Sequence, residues 1–239
     1  MQLYSYPYDL VPVMLIMLGA VFVHACLQLS VSVLTLLNSH TIARRLPNHR
    51  LLNLNFWYVL GVVLSIAALQ LSIIAAHRML ISQIGDATVT ISLLILPVVA
   101  LLVVATYYRR GNGTRLWLPR PAADYVASRA KKTRSSVEAF ALGMTTVVAE
   151  LPFAIAPMAI VALGMQDFAS EKWLGFSMVY AALVSLPLLF VAAYISSGHK
   201  LSIVQRWREG AKSFLQWSSA IALILLTVYI TILNGGVSP

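Results

Sequence analysis

Polar residues interrupt this chain at regular intervals, leaving six long apolar runs at about residues 10–37, 55–76, 87–108, 137–164, 173–196 and 214–233. None contains Lys or Arg. Each approaches or exceeds the roughly 20 apolar residues that a helix needs to cross the hydrocarbon core of a bilayer. A helix is the open-chain structure that satisfies its own backbone hydrogen bonds there. The pattern predicts an all-α membrane protein with six transmembrane helices.

Composition agrees. Hydrophobic residues make up 59% of the 239 and charged residues 10%, with a mean hydropathy of +0.82. Soluble domains carry about 25% charged residues, so a soluble fold would lack polar side chains to cover its surface. The net charge of +9 suggests nucleic acid at first sight. Its distribution points to the membrane instead, and no nucleic-acid partner is expected. The loop after the first run holds Arg44, Arg45 and Arg50. The loop after the third holds Arg109, Arg110, Arg115, Arg120, Arg129, Lys131, Lys132 and Arg134, and the loop after the fifth holds Lys200, Arg206, Arg208 and Lys212. Only Arg78 and Lys172, of the 17 basic residues, lie elsewhere, one in each of the other two loops. Basic residues collect in cytoplasmic loops. The expected location is therefore the plasma (inner) membrane, multi-pass, with both termini outside and the basic loops cytoplasmic. The N-terminus has no positively charged leader region, so the first run is expected to be retained as a span. Tyr4, Tyr6 and Tyr8 read as an interfacial aromatic belt.

This charge pattern divides the chain into a first three-helix repeat (residues 1–110), a basic cytoplasmic linker (111–136) and a second three-helix repeat (137–239). The second triplet must cross in the opposite sense to the first, as in the 3+3 inverted-topology repeats of transporters. Residues 18–27 lie over residues 142–151 with Leu, Gly, Val, Ala and Leu coinciding. A slightly different offset sets His77 and Arg78 over His199 and Lys200.

The superposition also aligns the most unusual side chains. Glu150 falls near the centre of the fourth run, and His24, Cys26 and Gln28 near the centre of the first. A carboxylate at the bilayer centre costs about 2.5–3.5 kcal/mol on insertion scales, and such groups face a cavity or a partner. Pro152 and Pro157 follow Glu150 and remove two helical donors. A helix broken at mid-depth beside an acid is a transporter pattern. Thr145 and Thr146 lie about one turn before Glu150. His24 and Gln28 share a helix face, which Ser32 and Thr35 extend. The expected transport or proton site is Glu150, His24, Gln28, Pro152, Pro157 and Thr146. His24 is expected to meet Glu150 as a relay or as a fellow ligand for a cation. The plain structural alternative is a set of polar contacts between helices, with Pro97, Pro152, Pro157 and Pro187 as kinks.

Other features narrow the chemistry. Cysteine occurs once, at Cys26, which excludes a disulfide framework and a zinc cluster. No phosphate loop, dinucleotide fingerprint, HExxH or nucleophile elbow is present. No catalytic residue, cofactor or metal is expected. Residues 117–121 suggest an extended segment near the headgroups. The cluster from Arg129 to Arg134 reads equally as an anionic-lipid contact or as a topology signal. Arg206-Trp207-Arg208-Glu209 reads as an interfacial anchor. The sequon at Asn112 lies on the expected inner side and is not a glycosylation site.

The layout resembles the superfamily of LysE-type exporters and DsbD/CcdA membrane thiol conduits. Ala139-Phe140-Ala141-Leu142-Gly143, with Glu150-Leu151-Pro152 and Pro157, is similar to the small-residue segment and proline break that open each repeat there. The resemblance implies a 3+3 fold and a transporter-like function for a small solute or cation. A CcdA-like conduit would carry a cysteine in each repeat. Here the first repeat has Cys26 without a preceding proline, and Glu150 falls where the second would lie. Dithiol exchange needs two thiols, so the redox reading would have Cys26 act with a partner's thiols. A non-catalytic scaffold or assembly factor is the third reading.

Overall fold

A computed structural model describes residues 10–43, 47–84, 98, 120–165, 168–199 and 201–235. Helices account for nearly all of them, and no strand occurs among the described residues. The helices are α1 (Leu10–Leu27), α2 (Ser30–Ala43), α3 (Asn48–Ile84), α4 (Arg120–Lys132), α5 (Ser136–Gly164), α6 (Trp173–Val184), α7 (Leu186–Ser196) and α8 (Leu201–Gly235). A short 3-10 turn, Ser170–Lys172, leads into α6. Apart from Val98, the third apolar run lies outside the described residues, as do Tyr4, Tyr6, Tyr8, Pro97 and the sequon at Asn112.

Three helical stretches among these are long and apolar enough to cross a membrane: Val11–Ala43, Asn48–Gln83 and Ser136–Gly164. A fourth arises when α6 and α7, bent by 46° at Ser185, count as one span. Both faces of these helices are apolar, the mark of a helix surrounded by packing on one side and lipid on the other. On α1, Val11, Leu15, Leu18 and Phe22 form an exposed stripe, while Ile16, Met17, Ala20 and Val23 are buried. On α8, Phe214, Trp217, Ile221, Leu225, Val228 and Ile232 form another.

The tightest crossing joins α3 to α5. Added Cβ atoms would drive Gly61 into the carbonyl oxygen of Phe140 and Gly143 into that of Tyr58. Two glycines, one on each helix, therefore let two backbones touch, as small residues do between membrane helices. On the other side α1 lies along α8, where Gly19 leaves room for the side chain of Leu226. A capping box starts α5. Ser135 Oγ accepts from the Glu138 N–H, and Glu138 Oε2 accepts from the Ser135 N–H at 3.1 Å and the Arg134 N–H at 2.6 Å. These contacts satisfy the first donors of the helix and fix the corner between α4 and α5.

Two sequence expectations change. α5 runs unbroken through Pro152 and Pro157, so the break expected in the fourth span is absent. Proline removes a donor without forcing the helix to end when neighbouring packing holds it in place. The break lies instead in the first apolar run, at Gln28–Leu29, between α1 and α2. Likewise, of the segment expected to be extended, residues 117–119 lie outside the described residues, and Arg120 and Pro121 are helical. They open α4, an amphipathic helix that packs against α2 and α5.

Candidate functional site

The break exposes backbone groups. The first N–H groups of α2 and the last C=O groups of α1 have no partner within their own helices. Deep in an apolar bundle, such groups need replacements. Two charged side chains from distant parts of the sequence supply them.

Glu150, on α5 and 1% exposed, caps the start of α2. Its Oε1 accepts from the Ser30 backbone N–H and from Ser30 Oγ, the latter at 2.5 Å. The Leu29 N–H faces the same carboxyl. The N-terminal end of a helix carries partial positive charge, so a carboxylate there is held by the helix dipole as well as by the individual bonds. Each hydrogen bond to a charged group contributes about 1.5–3 kcal/mol, comparable to the insertion cost of the acid itself.

Arg208, on α8, closes the other end. Its Nη2 donates to the carbonyl of Gln28 at 2.9 Å, and its Nη1 to Ser32 Oγ at 2.7 Å. A cation at the C-terminal end of α1 complements that end of the dipole. Arg208 is 9% exposed, which corrects its reading as an interfacial anchor. Its neighbours Arg206, Trp207 and Glu209 are exposed. The sequence signal for Arg208 was slight, since it lies in a basic, amphipathic stretch. Only its place in three dimensions distinguishes it from Arg206.

Tyr58 of α3 ties the acid's surroundings together. Its hydroxyl donates to the Ser30 carbonyl at 2.9 Å and meets Thr146 Oγ1 at 3.4 Å. Thr146 in turn donates to Leu142 O at 2.7 Å. The Gly61–Gly143 crossing sets Tyr58 this close to α5. Glu150, Thr146, Ser30, Tyr58 and Arg208 thus form one buried polar assembly around the broken span. The sequence marked Glu150 and Thr146, but not Ser30, Tyr58 or Arg208.

The expected His24–Glu150 pair is not formed. His24, on α1 before the break, shares a hydrogen bond between Nδ1 and Tyr180 Oη of α6 at 2.8 Å, while Glu150 engages α2 beyond the break. The interruption between positions 27 and 30 also ends the helical face that would have aligned His24 with Ser32. Gln28 is buried at the break. Its carbonyl is used by Arg208, while its side-chain Oε1 and Nε2 have no hydrogen bond. His24 Nε2, Glu150 Oε2, Ser177 Oγ and Ser185 Oγ are in the same condition. Buried polar atoms are ordinarily hydrogen-bonded, so each of these atoms is left able to take a further hydrogen bond. Thr145 bonds its own helix at Ala141 O. Cys26 is buried and lies against Ser218 of α8. Among the described residues, no group of three or more His, Cys, Asp or Glu side chains could hold a metal ion.

A second buried polar contact crosses the same bundle. Asn38 Nδ2 of α2 donates to Asn55 Oδ1 of α3 at 2.9 Å, and Asn55 Nδ2 reaches Ser196 Oγ of α7 at 3.3 Å. It ties the far end of α2 to α3 and α7, although Asn38 Oδ1 is itself left without a hydrogen bond.

No protein-family model matches the chain, and neither does any curated protein or solved structure.

Proposed function

We propose that this chain is a LysE-like membrane transporter of a small solute or cation, with Glu150 as the group that carries a proton or binds the cation. In this reading the chain has six spans arranged as a 3+3 inverted repeat. It sits in the plasma membrane with both termini outside and the basic loops cytoplasmic. One observation carries the reading. A buried acid is bonded through one oxygen to the start of a broken span, while its second oxygen has no hydrogen-bond partner. Broken helices whose N-termini face charged groups are a recurring transporter device, and intramembrane acids serve proton relays. The free oxygen is where a proton or cation would bind. Gln28, at the break itself, adds unsatisfied side-chain atoms beside the carbonyl that Arg208 holds, and His24 on the preceding helix leaves Nε2 without a hydrogen bond. Within α5, Pro157 is a buried packing position and Pro152 lies exposed.

The thiol-redox reading has less support, because the lone cysteine is buried. The test uses the full chain in liposomes that enclose a pH-sensitive dye. External amino acids, Na⁺, K⁺ and Mn²⁺ are added in turn. The expected result is proton movement with at least one of these probes, lost in Glu150→Gln. Movement unchanged in that variant, or no movement with any probe, overturns the proposal.

A further inference from the structure

α4 stands apart from the site around Glu150. Its buried face is made of small or slender side chains, Ala123, Val126 and Ala130, continued by Thr133. That face is already used against α2 and α5. Outward, α4 carries Tyr125, 53% exposed, and a cluster of charge. Arg129, Lys131, Lys132 and Arg134 are exposed. Ser128, Lys131, Lys132 and Arg134 line an open cleft of about 610 Å³.

The depth of this cleft is fixed by the helix that follows. Val137, at the start of α5, is 77% exposed and apolar. It belongs to the Ser136–Gly164 stretch, which is apolar enough to span a bilayer. Arg134 precedes Val137 by three residues, at the corner where α4 ends and α5 begins. The cleft therefore lies beside the end of a span, at the level of lipid headgroups. Glu138, at the start of α5, accepts the capping N–H groups of Arg134 and Ser135 and keeps its negative charge near Arg129, so Lys131, Lys132 and Arg134 outnumber it at the cleft. Asp124 is the one acid on α4 itself, nearly two turns before Lys131.

We infer that this cleft binds the phosphate headgroup of an anionic phospholipid, with Lys131, Lys132 and Arg134 as the recognising side chains. A soluble phosphate compound would share the chemistry, but the position at the foot of a span favours lipid. Basic clusters adjoining a span bind anionic lipid in this way. The inference needs the membrane setting and does not depend on transport.

The test is native mass spectrometry of the full chain released from mild detergent. It is carried out with phosphatidylglycerol, phosphatidylethanolamine or inorganic phosphate. The expected result is retention of phosphatidylglycerol over phosphatidylethanolamine, undisturbed by millimolar phosphate. Combined Lys131→Gln, Lys132→Gln and Arg134→Gln should weaken that retention by about a hundredfold, since each basic residue near an anionic surface is worth about fivefold. The charge-preserving set Lys131→Arg, Lys132→Arg and Arg134→Lys should keep it, as should Arg206→Gln on α8. Equal retention of the two lipids overturns the inference. So does displacement by phosphate, unchanged retention in the neutral variant, loss in the charge-preserving set, or an equal loss in Arg206→Gln.

Discussion

Ser30 and Glu150 meet across the break in the first apolar run, with both the backbone N–H and the hydroxyl of Ser30 directed to one carboxylate oxygen. The pair joins α2 to α5, 120 residues apart in sequence. The contact is also where helical structure restarts after Leu29, so the acid acts as a helix cap supplied from another helix.

This arrangement separates two substitutions. Glu150→Ala removes both acceptor oxygens and leaves the Ser30 N–H buried without a partner, at a cost of about 1–3 kcal/mol. Glu150→Gln keeps one acceptor and the shape of the side chain, and loses mainly the interaction of charge with the helix end, about 0.3–2 kcal/mol. The alanine variant should therefore melt below the glutamine variant in detergent. Equal melting temperatures would show that the Ser30 bonds contribute nothing to the fold.

Arg208 should govern the mobility of the break. Arg208→Gln loses the planar fork that reaches Gln28 O and Ser32 Oγ together, and Arg208→Lys keeps a charge but not the fork. Hydrogen exchange at Leu29 and Ser30 should quicken in both, most in the glutamine variant. Exchange at Tyr180 and Ala181, on a different helix, should stay near its original rate. Uniform quickening at both places would mean that Arg208 supports the bundle in general and not the break.

The α3–α5 crossing gives a stability prediction with an internal control. Gly61→Ala and Gly143→Ala each place a methyl group against a partner backbone that has no flexible side chain to yield. Overpacking of this kind costs about 1–3 kcal/mol. Gly175→Ala, where nothing lies within 4 Å of the added carbon, should have little effect and can stabilise slightly through helix propensity. Thermal unfolding of the three variants in one detergent decides the matter. If Gly175→Ala is as damaging as the other two, the crossing is not close.

What the sequence made legible, and what it did not, follows from the range of each signal. Apolar runs and an acid within one of them are local features, and Glu150 stood out because its cost in lipid is paid at a single position. The break at Gln28–Leu29 carries no proline or glycine to announce it. It exists because Glu150 and Arg208, more than a hundred residues away, satisfy the backbone groups that it frees. Pro152 and Pro157 announced a break, yet α5 runs on through both, Pro157 buried and Pro152 exposed. Arg208 looked like its neighbour Arg206 because a one-dimensional pattern does not say which of two arginines on an amphipathic helix turns inward. His24 was assigned to Glu150 by an expected symmetry, whereas its hydrogen bond goes to Tyr180 of α6, a helix whose place beside α1 no local pattern marks.

Orientation across the membrane gives the last prediction, because it tests the charge argument independently of the site. Replacing Cys26 by alanine gives a chain without cysteine, the chain having just one. Single cysteines can then be introduced at Ser128 on α4 and Ser170 before α6, on loops expected to face opposite sides. Ser128 is exposed among basic residues, and Ser170 adjoins Lys172 at the entry to the bent α6–α7 pair. In intact cells an impermeant maleimide should label Ser170→Cys and spare Ser128→Cys until the membrane is opened, because basic loops remain on the cytoplasmic side. Labelling of both from outside would remove α5 as a span. The reverse pattern would turn the whole chain over and place the α4 cleft on the outer face.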